Sequence, residues 1–485
     1  MVLIRRIVII TAVAASVAQA QPAVAPRTLQ REARLQELRN IELEQRFTAN
    51  TNVPPEQRAL IDWGGYFSFN YVSLDDQVND NHVLRQYDFV AYTRLQLDNA
   101  NEVFLRFRTG YRDFNDGDSF DGHGDEIIDP DLDRAYYRFD LAAYQAAYKG
   151  KRTDTDVAIK AGRDLAYWAN GLVLAQVMDG ITLDVTTANV NVQILGGVTI
   201  TRTVDFDPSR PAFDHNTRRG FYGGMVSVPI ENHTPFVYGL VQRDYNTHDE
   251  LQTGAVNTKF DYNSYYFGIG SNGSFTDRLR YGLEAVYECG DTLSNSFQIA
   301  NGALVPVPQT RDSICAYALN GRLDYLIPDE HQSRLSGEVI LASGDGDRGS
   351  TNTTFNGNKP HTRDNAFNSL GLLNTGLAFA PAVSNVIVGR VGASTYPLPN
   401  MQLARRLQIG FDFFSYWKMR SDAPIDEPTL DESYLGVEPD LYLNWQIVSD
   451  ITFTARYGAF FPNQSAFPTD QDTRQFFFAG VTFAF

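Results

Sequence analysis

From Asp62 to the C-terminus, apolar and polar side chains trade places every second residue in segment after segment. That is the period of a half-buried β-strand. The clearest case is the last twelve residues, R-Q-F-F-F-A-G-V-T-F-A-F, where Phe477, Ala479, Val481, Phe483 and Phe485 share one face. A hydrophobic strand at a terminus is an open edge unless something pairs with it. A membrane barrel supplies the partner by joining its last strand to its first. A terminal alternating strand ending in Phe also has the form of the signal that the bacterial barrel-assembly machinery reads.

The alternation divides into 18 segments: 62–73, 84–98, 101–113, 131–142, 154–164, 179–187, 189–202, 220–230, 234–246, 259–271, 277–291, 311–326, 331–343, 384–397, 403–419, 431–447, 450–461 and 473–485. Connections after even segments are brief, as at Asn99-Ala100, Ala188 and Val448-Ser449, with somewhat longer ones after the fourth and fourteenth. Those after odd segments are long, including 114–130, 203–219, 292–310 and 344–383. Periplasmic turns and external loops produce this rhythm in a barrel. The expected fold is all-β: a transmembrane antiparallel up-and-down β-barrel of about 18 strands, occupying 61–485. The alternative is a soluble all-β domain, which has no reason to keep such a rhythm.

The N-terminus fixes the compartment. Arg5 and Arg6, the apolar run Ile7–Ala15 and Ala18-Gln19-Ala20 form a secretory signal over 1–20. Residues 21–60 then carry a short helical leader, with good helix formers over 27–47 ended by Val53-Pro54-Pro55. It reads as a solvated periplasmic helix, with a docking element as the alternative. Export without a later apolar run of about 20 residues leaves a secreted soluble protein or an outer-membrane barrel. Composition favours the barrel: 32 Phe and 25 Tyr coexist with a mean hydropathy of −0.29. An apolar outer belt around a polar lumen gives that mixture. The formal charge of −17 becomes −19 once Arg5 and Arg6 are removed, which argues against nucleic acid. Outer-membrane lipid and lipopolysaccharide are the expected surroundings.

Parity sorts the candidate chemistry. A charge on the lipid face costs about 2–4 kcal/mol at mid-bilayer, so charged parities face inward. Arg94, Arg106, Arg108, Arg112, Arg134 and Arg138 fall on one stretch of lumenal wall, with Arg322, Arg390, Arg406 and Arg456 inside on later strands. Guanidinium groups stay charged and grip carboxylates in a fork, so rings of them favour anions. The competing reading is an Arg–carboxylate lattice that only stiffens the wall. The acidic loop 113–133 contains Asp116, Asp118, Asp121 and Asp125, which could collect Ca²⁺. Its spacing is not that of an EF-hand, and a solvated loop, or one bridged to lipopolysaccharide, explains it as well. Cys289 and Cys315 could form a disulfide or remain two thiols. The loop 344–383 is long enough to fold inward as a constriction or lid. No Ser/His/Asp spacing, metal-binding His/Cys cluster or phosphate loop stands out, so the expectation is not an enzyme and no other cofactor is called.

Three stretches resemble the alginate export porin family. Residues 435–467, L-G-V-E-P-D-L-Y-L-N-W-Q-I-V-S-D-I-T-F-T-A-R-Y-G-A-F-F-P-N-Q-S-A-F, are similar to its penultimate hairpin. Residues 160–184, K-A-G-R-D…M-D-G-I-T-L-D, look like its G-R-x…D-G-x-x-L pattern. N-S-L-G-L-L-N-T-G with S-N-V-I-V-G-R-V-G-A-S, between 368 and 394, is similar to the stretch before its later strands. The resemblance implies an outer-membrane porin passing an anionic, alginate-like polysaccharide outward, with periplasmic secretion partners. It implies that Arg390 and Arg456 are lumenal arginines, Glu438 and Asp440 paired acids, and Arg163 a further lumenal arginine of undetermined direction. The acidic balance of the chain is a departure. The alternatives are a general diffusion porin for small anions or solutes, and a plugged barrel serving as adhesin or anchor.

Overall fold

The computed structural model describes 58–485 apart from 121, 211–215, 247–249, 254–255, 301–302, 351–353, 355–356 and 469–470, together with Leu29, Arg31, Glu32, Arg34, Leu35 and Pro54. The signal sequence and most of the leader lie outside the described residues.

Eighteen antiparallel strands form one closed sheet. In order they are β1 (Ala59–Asp75), β2 (Asn81–Leu97), β3 (Asn101–Phe114), β4 (Glu126–Asp140), β5 (Asp156–Tyr167), β6 (Ala175–Thr186), β7 (Asn191–Thr199), β8 (Arg219–Ser227) and β9 (His233–Asp244). A hairpin, β10 (Glu250–Thr253) and β11 (Val256–Lys259), stands in the next loop. The wall resumes with β12 (Tyr262–Ser274) and β13 (Leu279–Leu293), followed by a second loop hairpin, β14 (Phe297–Ala300) and β15 (Ala303–Pro306). It finishes with β16 (Arg311–Leu326), β17 (Arg334–Ala342), β18 (Val386–Thr395), β19 (Leu407–Lys418), β20 (Tyr434–Gln446), β21 (Ile451–Pro462) and β22 (Arg474–Ala484).

The seam closes as the terminal alternation requires. β22 pairs with β1 from Tyr66↔Ala484 to Leu74↔Phe476, and Gly65 exchanges backbone hydrogen bonds with Phe485. No edge strand is left in the wall, so every wall strand has two neighbours. The outward parity carries Phe89, Phe107, Ile181, Ile269, Leu323, Val391 and Leu441, all exposed. An apolar belt of this extent on a water-soluble protein would drive association; around a closed barrel it is the lipid face. No described helix is long and apolar enough to cross a membrane, and crossing falls to the strands.

Three local expectations need correction. The connection after β4 contains a helix, α1 (Leu141–Lys149). Asp140 caps its start by accepting from the Ala143 amide, and Gly150 ends it in the left-handed conformation with φ 59°. The long–short rhythm is looser than read, because the β1–β2 connection spans only 76–80. There Asp76 accepts from the Val78 and Asp80 amides at 2.8 and 2.9 Å and tightens the turn. Arg406 lies in the periplasmic turn before β19 and donates to Gln446, so it is not on the lumenal wall.

The buried core lies inside the barrel. Two segments turn into the lumen: 168–174, after β5, and the described residues of 343–385, after β17. Trp168, Leu172, Val173 and Leu174 pack with Phe367, Leu370 and Phe379 and with inward residues of the wall such as Tyr266 and Tyr416. Backbone bonds from Ala175 to Leu370 and from Leu372 to Gly171 join the two segments. The expectation of an inward loop over 344–383 is therefore what the structure shows.

Candidate functional site: the barrel lumen

The basic wall rises from β2–β5. Arg106 grips Asp133 in a fork, Nε to Oδ1 at 2.9 Å and Nη2 to Oδ2 at 2.7 Å. Arg108 pairs with Asp88 at 2.9 Å, Arg112 with Glu126 at 2.7 Å, Arg134 with Asp164 at 2.6 Å and Arg138 with Asp140 at 3.5 Å. Arg94 stands 3.8 Å from Glu102. Lys160, a further cation beside the predicted arginines, binds the second oxygen of Asp164 at 2.5 Å. The lattice reading thus describes the wall as built.

The pairs are not symmetric, however. Side-chain exposure is 34% for Arg108 against 5% for Asp88, 29% for Lys160 against 12% for Asp164, and 45% for Arg138 against 20% for Asp140. In these pairs the cation presents more surface to the lumen than the acid does; in Arg94–Glu102, Arg106–Asp133, Arg112–Glu126 and Arg134–Asp164 the acid is the more exposed partner. Arg94, Arg106 and Arg134 are sunk into the wall around an aromatic row that parity placed inside but no residue-by-residue reading singled out. Tyr92, Phe104 and Tyr136 stack at 6.0 and 5.3 Å, with Arg94 and Arg134 over Phe104 at 5.5 and 5.1 Å. Such contacts hold a guanidinium plane while leaving its charge intact.

Arg163 needs a correction. It shares parity with the exposed Ile159 and Tyr167, opposite to Lys160 and Asp164, so its side chain leaves on the outer face. It meets Asp179 there at 2.8 and 3.0 Å. The ion pair lets two charges remain on that face, where neither could stand alone.

The lumenal acids hold the inward segments. Glu438 is fully buried and accepts from the amides of Leu377, Ala378 and Phe379 at 2.5, 2.7 and 2.9 Å, and from Tyr416 at 3.1 Å. Glu288 accepts from the Asn368 amide at 3.1 Å and from Tyr262 at 2.8 Å. Glu284 accepts from the Asn170 amide at 3.1 Å and from Tyr238 at 2.6 Å. Each barrel carboxylate thus satisfies loop amides that would otherwise be buried without acceptors. Gly376 is required here: its φ is 104°, and a Cβ would sit on Tyr416 Oη and the Glu438 carboxylate.

On the far wall Arg390 bridges Glu338 at 2.5 Å and Asp412 at 3.4 Å, and Arg322 meets Asp324 at 2.8 Å. Arg456 donates from Nε to Glu32 of the leader at 2.7 Å. Leu29, Arg31, Glu32, Arg34 and Leu35 are helical, and the three charged ones dock, contrary to the solvated-helix expectation. Arg31 donates to the Gly376 carbonyl and to Asn374 Oδ1 of the inward loop. Arg34 donates to the Ala175 carbonyl at 2.7 Å and to Gln176 Oε1. Burial pulls the Arg31 guanidinium below its ordinary value, opposed by the charges of Glu32 and Asp440. Asp440 is buried, and its Oδ1 has no hydrogen-bond partner among the described residues.

The remaining candidates do not converge. Asp118 accepts from the Val83 amide at 2.9 Å, and Asp125 accepts from Tyr111 at 2.8 Å and from the Phe114 amide at 2.9 Å. Asp116 is exposed and Asp121 lies outside the described residues. Among the described residues no three metal-binding side chains come together, because these carboxylates are turned toward loop amides and hydroxyls. Cys289 and Cys315 are directly opposed on β13 and β16 and are free thiols, with Tyr287 Oη 3.4 Å from Cys315 Sγ. No bond joins them across the intervening loop.

No family model matches the chain, and no curated protein matches it. Solved structures do. OccK11 (OpdR) of Pseudomonas aeruginosa matches with a TM-score of 0.51 at 10% identity, over 89% of this chain and 98% of that one. The outer membrane protein OpdK of the same organism matches at 0.50 and 9%, over 88% and 98%. OccAB3 of Acinetobacter baumannii matches at 0.51 and 9%, over 88% and 99%. At such identities the likeness is one of fold. The chain is a closed 18-strand β-barrel of the outer membrane, built like these barrels.

Proposed function

We propose that the protein is a passive outer-membrane pore for small anionic solutes, carboxylates above all. The observation that carries this reading is the set Arg108, Arg138 and Lys160, three wall cations that each face the lumen more fully than the acid they bind. A neutral pair with its cation outermost still presents positive potential to a passing ion. Several weak sites in series let an anion enter without being trapped. The shared fold with outer-membrane barrels supports a pore without specifying its cargo.

Export of an alginate-like polymer is the second reading, favoured by the motif resemblance alone. It is less well supported, because 168–174 and the described residues of 343–385 fold into the lumen and the leader ties the second of these to β21. A polymer chain needs that whole bridge to move aside, whereas a small solute needs only a local opening in it.

The test is single-channel recording in a planar bilayer under a salt gradient. The reversal potential is expected to show preference for chloride over potassium. Arg138→Ala combined with Lys160→Ala is expected to lower that preference severalfold without changing barrel assembly. Cation selectivity in the wild type would overturn the proposal. Block by oligouronates that lengthens with chain length, with passage of the polymer, would favour export instead.

A further inference from the structure

Arg456 makes one hydrogen bond to a carboxylate although its guanidinium is built for two. Its side chain is nine-tenths buried, Nε is 2.7 Å from Glu32, and Nη2 has no hydrogen-bond partner among the described residues. A free carboxylate, unconstrained by a helix backbone, can engage such a group through both oxygens. We infer that Arg456 is a carboxylate-binding site of the lumen and that Glu32 is its built-in occupant, so that an anionic solute opens the pore by taking Arg456 from the leader. The inference rests on the reading of the chain as an anion pore.

The contacts of Arg31, Glu32 and Arg34 suit a displaceable plug. Its described anchors are mostly polar: Arg31 on Asn374 and Gly376, Arg34 on Ala175 and Gln176, and Glu32 on Arg456. Leu29 alone among the described leader residues joins an apolar cluster, the one around Leu377 and Phe476. Arg31 holds the inward segment at Asn374 and Gly376, while Arg34 holds the start of β6 and Glu32 holds β21, so the leader bridges parts of the lumen that β-pairing leaves separate. Release of Glu32 removes the bond to β21. Asp440, buried in the same cluster, opposes an incoming carboxylate. A tethered competitor acts at an effective concentration of order millimolar, so solute must reach about that level to displace it.

The experiment uses the mature full-length chain in planar bilayers, with sodium glucuronate as the probe. Wild-type current is expected to be low and to rise as glucuronate enters the millimolar range. Glu32→Gln is expected to conduct about tenfold more in the absence of glucuronate, the loss of one charge-assisted bond, and to respond little to it. Arg456→Gln is expected to be open and unresponsive, and Glu32→Asp to restore the closed state in part. Glu32 lies outside the wall, so its substitutions leave the barrel intact. If Glu32→Gln and wild type carry the same anion-selective current, the inference fails while the pore reading stands. If Arg456→Gln responds to glucuronate like wild type, the inference fails as well. If no variant conducts, even with 21–57 removed, the pore reading fails and takes this inference with it.

Discussion

Glu438 shows how one residue can belong to the lumen by parity and yet serve the architecture. Its carboxylate collects three successive amides of the inward loop. Glu438→Gln replaces a charged acceptor with a neutral one that also brings donors, at an expected cost of about 1.5–3 kcal/mol for the lost charge-assisted bonds. The expected result is faster hydrogen exchange at Leu377–Phe379, with the exchange of the β19–β20 amides unchanged. Equal exchange in both proteins would remove Glu438 from its anchoring role. Asp98, in the periplasmic turn after β2, gives a pH prediction. Burial alone would raise its carboxyl, but hydrogen bonds from Tyr148, Asn101 and the Ala100 and Asn101 amides hold it below the usual range. The folded state therefore binds its proton less readily than the unfolded one. The stabilisation is fully present above the ordinary value of about 3.9 and is lost as pH falls through the lower folded value. Protection of the Ala100 and Asn101 amides should fall on acidification in the wild type, and Tyr148→Phe should lose part of it at neutral pH.

At the scale of elements, α1 and β22 make opposite points. α1 is a single short helix whose ends are fixed locally by Asp140 and Gly150. Asp140→Ala is expected to cost about 1 kcal/mol, the usual value of an N-cap, and to increase exchange within 141–149 while the barrel strands keep their protection. β22 is fixed by its partners on both sides, β21 and β1. Removing Gln475–Phe485 exposes the edges of β1 and β21 and leaves the sheet open. The expected outcome is loss of the heat-sensitive compact band on gels and loss of membrane insertion, which smaller changes such as Phe485→Ala would not produce.

At the scale of the whole molecule, the barrel is a wall of strands around a core made of loops. The lipid face is apolar and continuous, while the interior combines an ion-pair lattice with two buried segments and a docked leader. The segments and leader narrow a barrel that would otherwise be wide. Conductance is expected to respond more to changes at Gly376, Glu438 and Glu32 than to substitution of lipid-facing side chains such as Phe107 or Leu441. Recording single channels of Gly376→Ala beside Leu441→Ala checks this: a larger effect from Leu441→Ala would mean that the segments do not set the conducting path.

The alternation alone determined the strand number, the strand positions to within a few residues, the closure of β22 on β1 and the direction of Arg106, Arg134 and Arg390. The physical reason is that a two-residue period has only two faces, and lipid excludes charge from one of them. Composition added the membrane. Tertiary structure decided the rest. Which carboxylate meets which arginine depends on strand stagger, and whether a lumenal acid faces solute or a loop amide depends on where a distant segment folds. Arg163 shows the limit of motif matching, since its parity sends it outward whatever pattern surrounds it. The leader shows the limit of local reading: its described residues are an ordinary polar helix by sequence, and only the positions of Arg456, Asn374 and Gln176 in space give it partners.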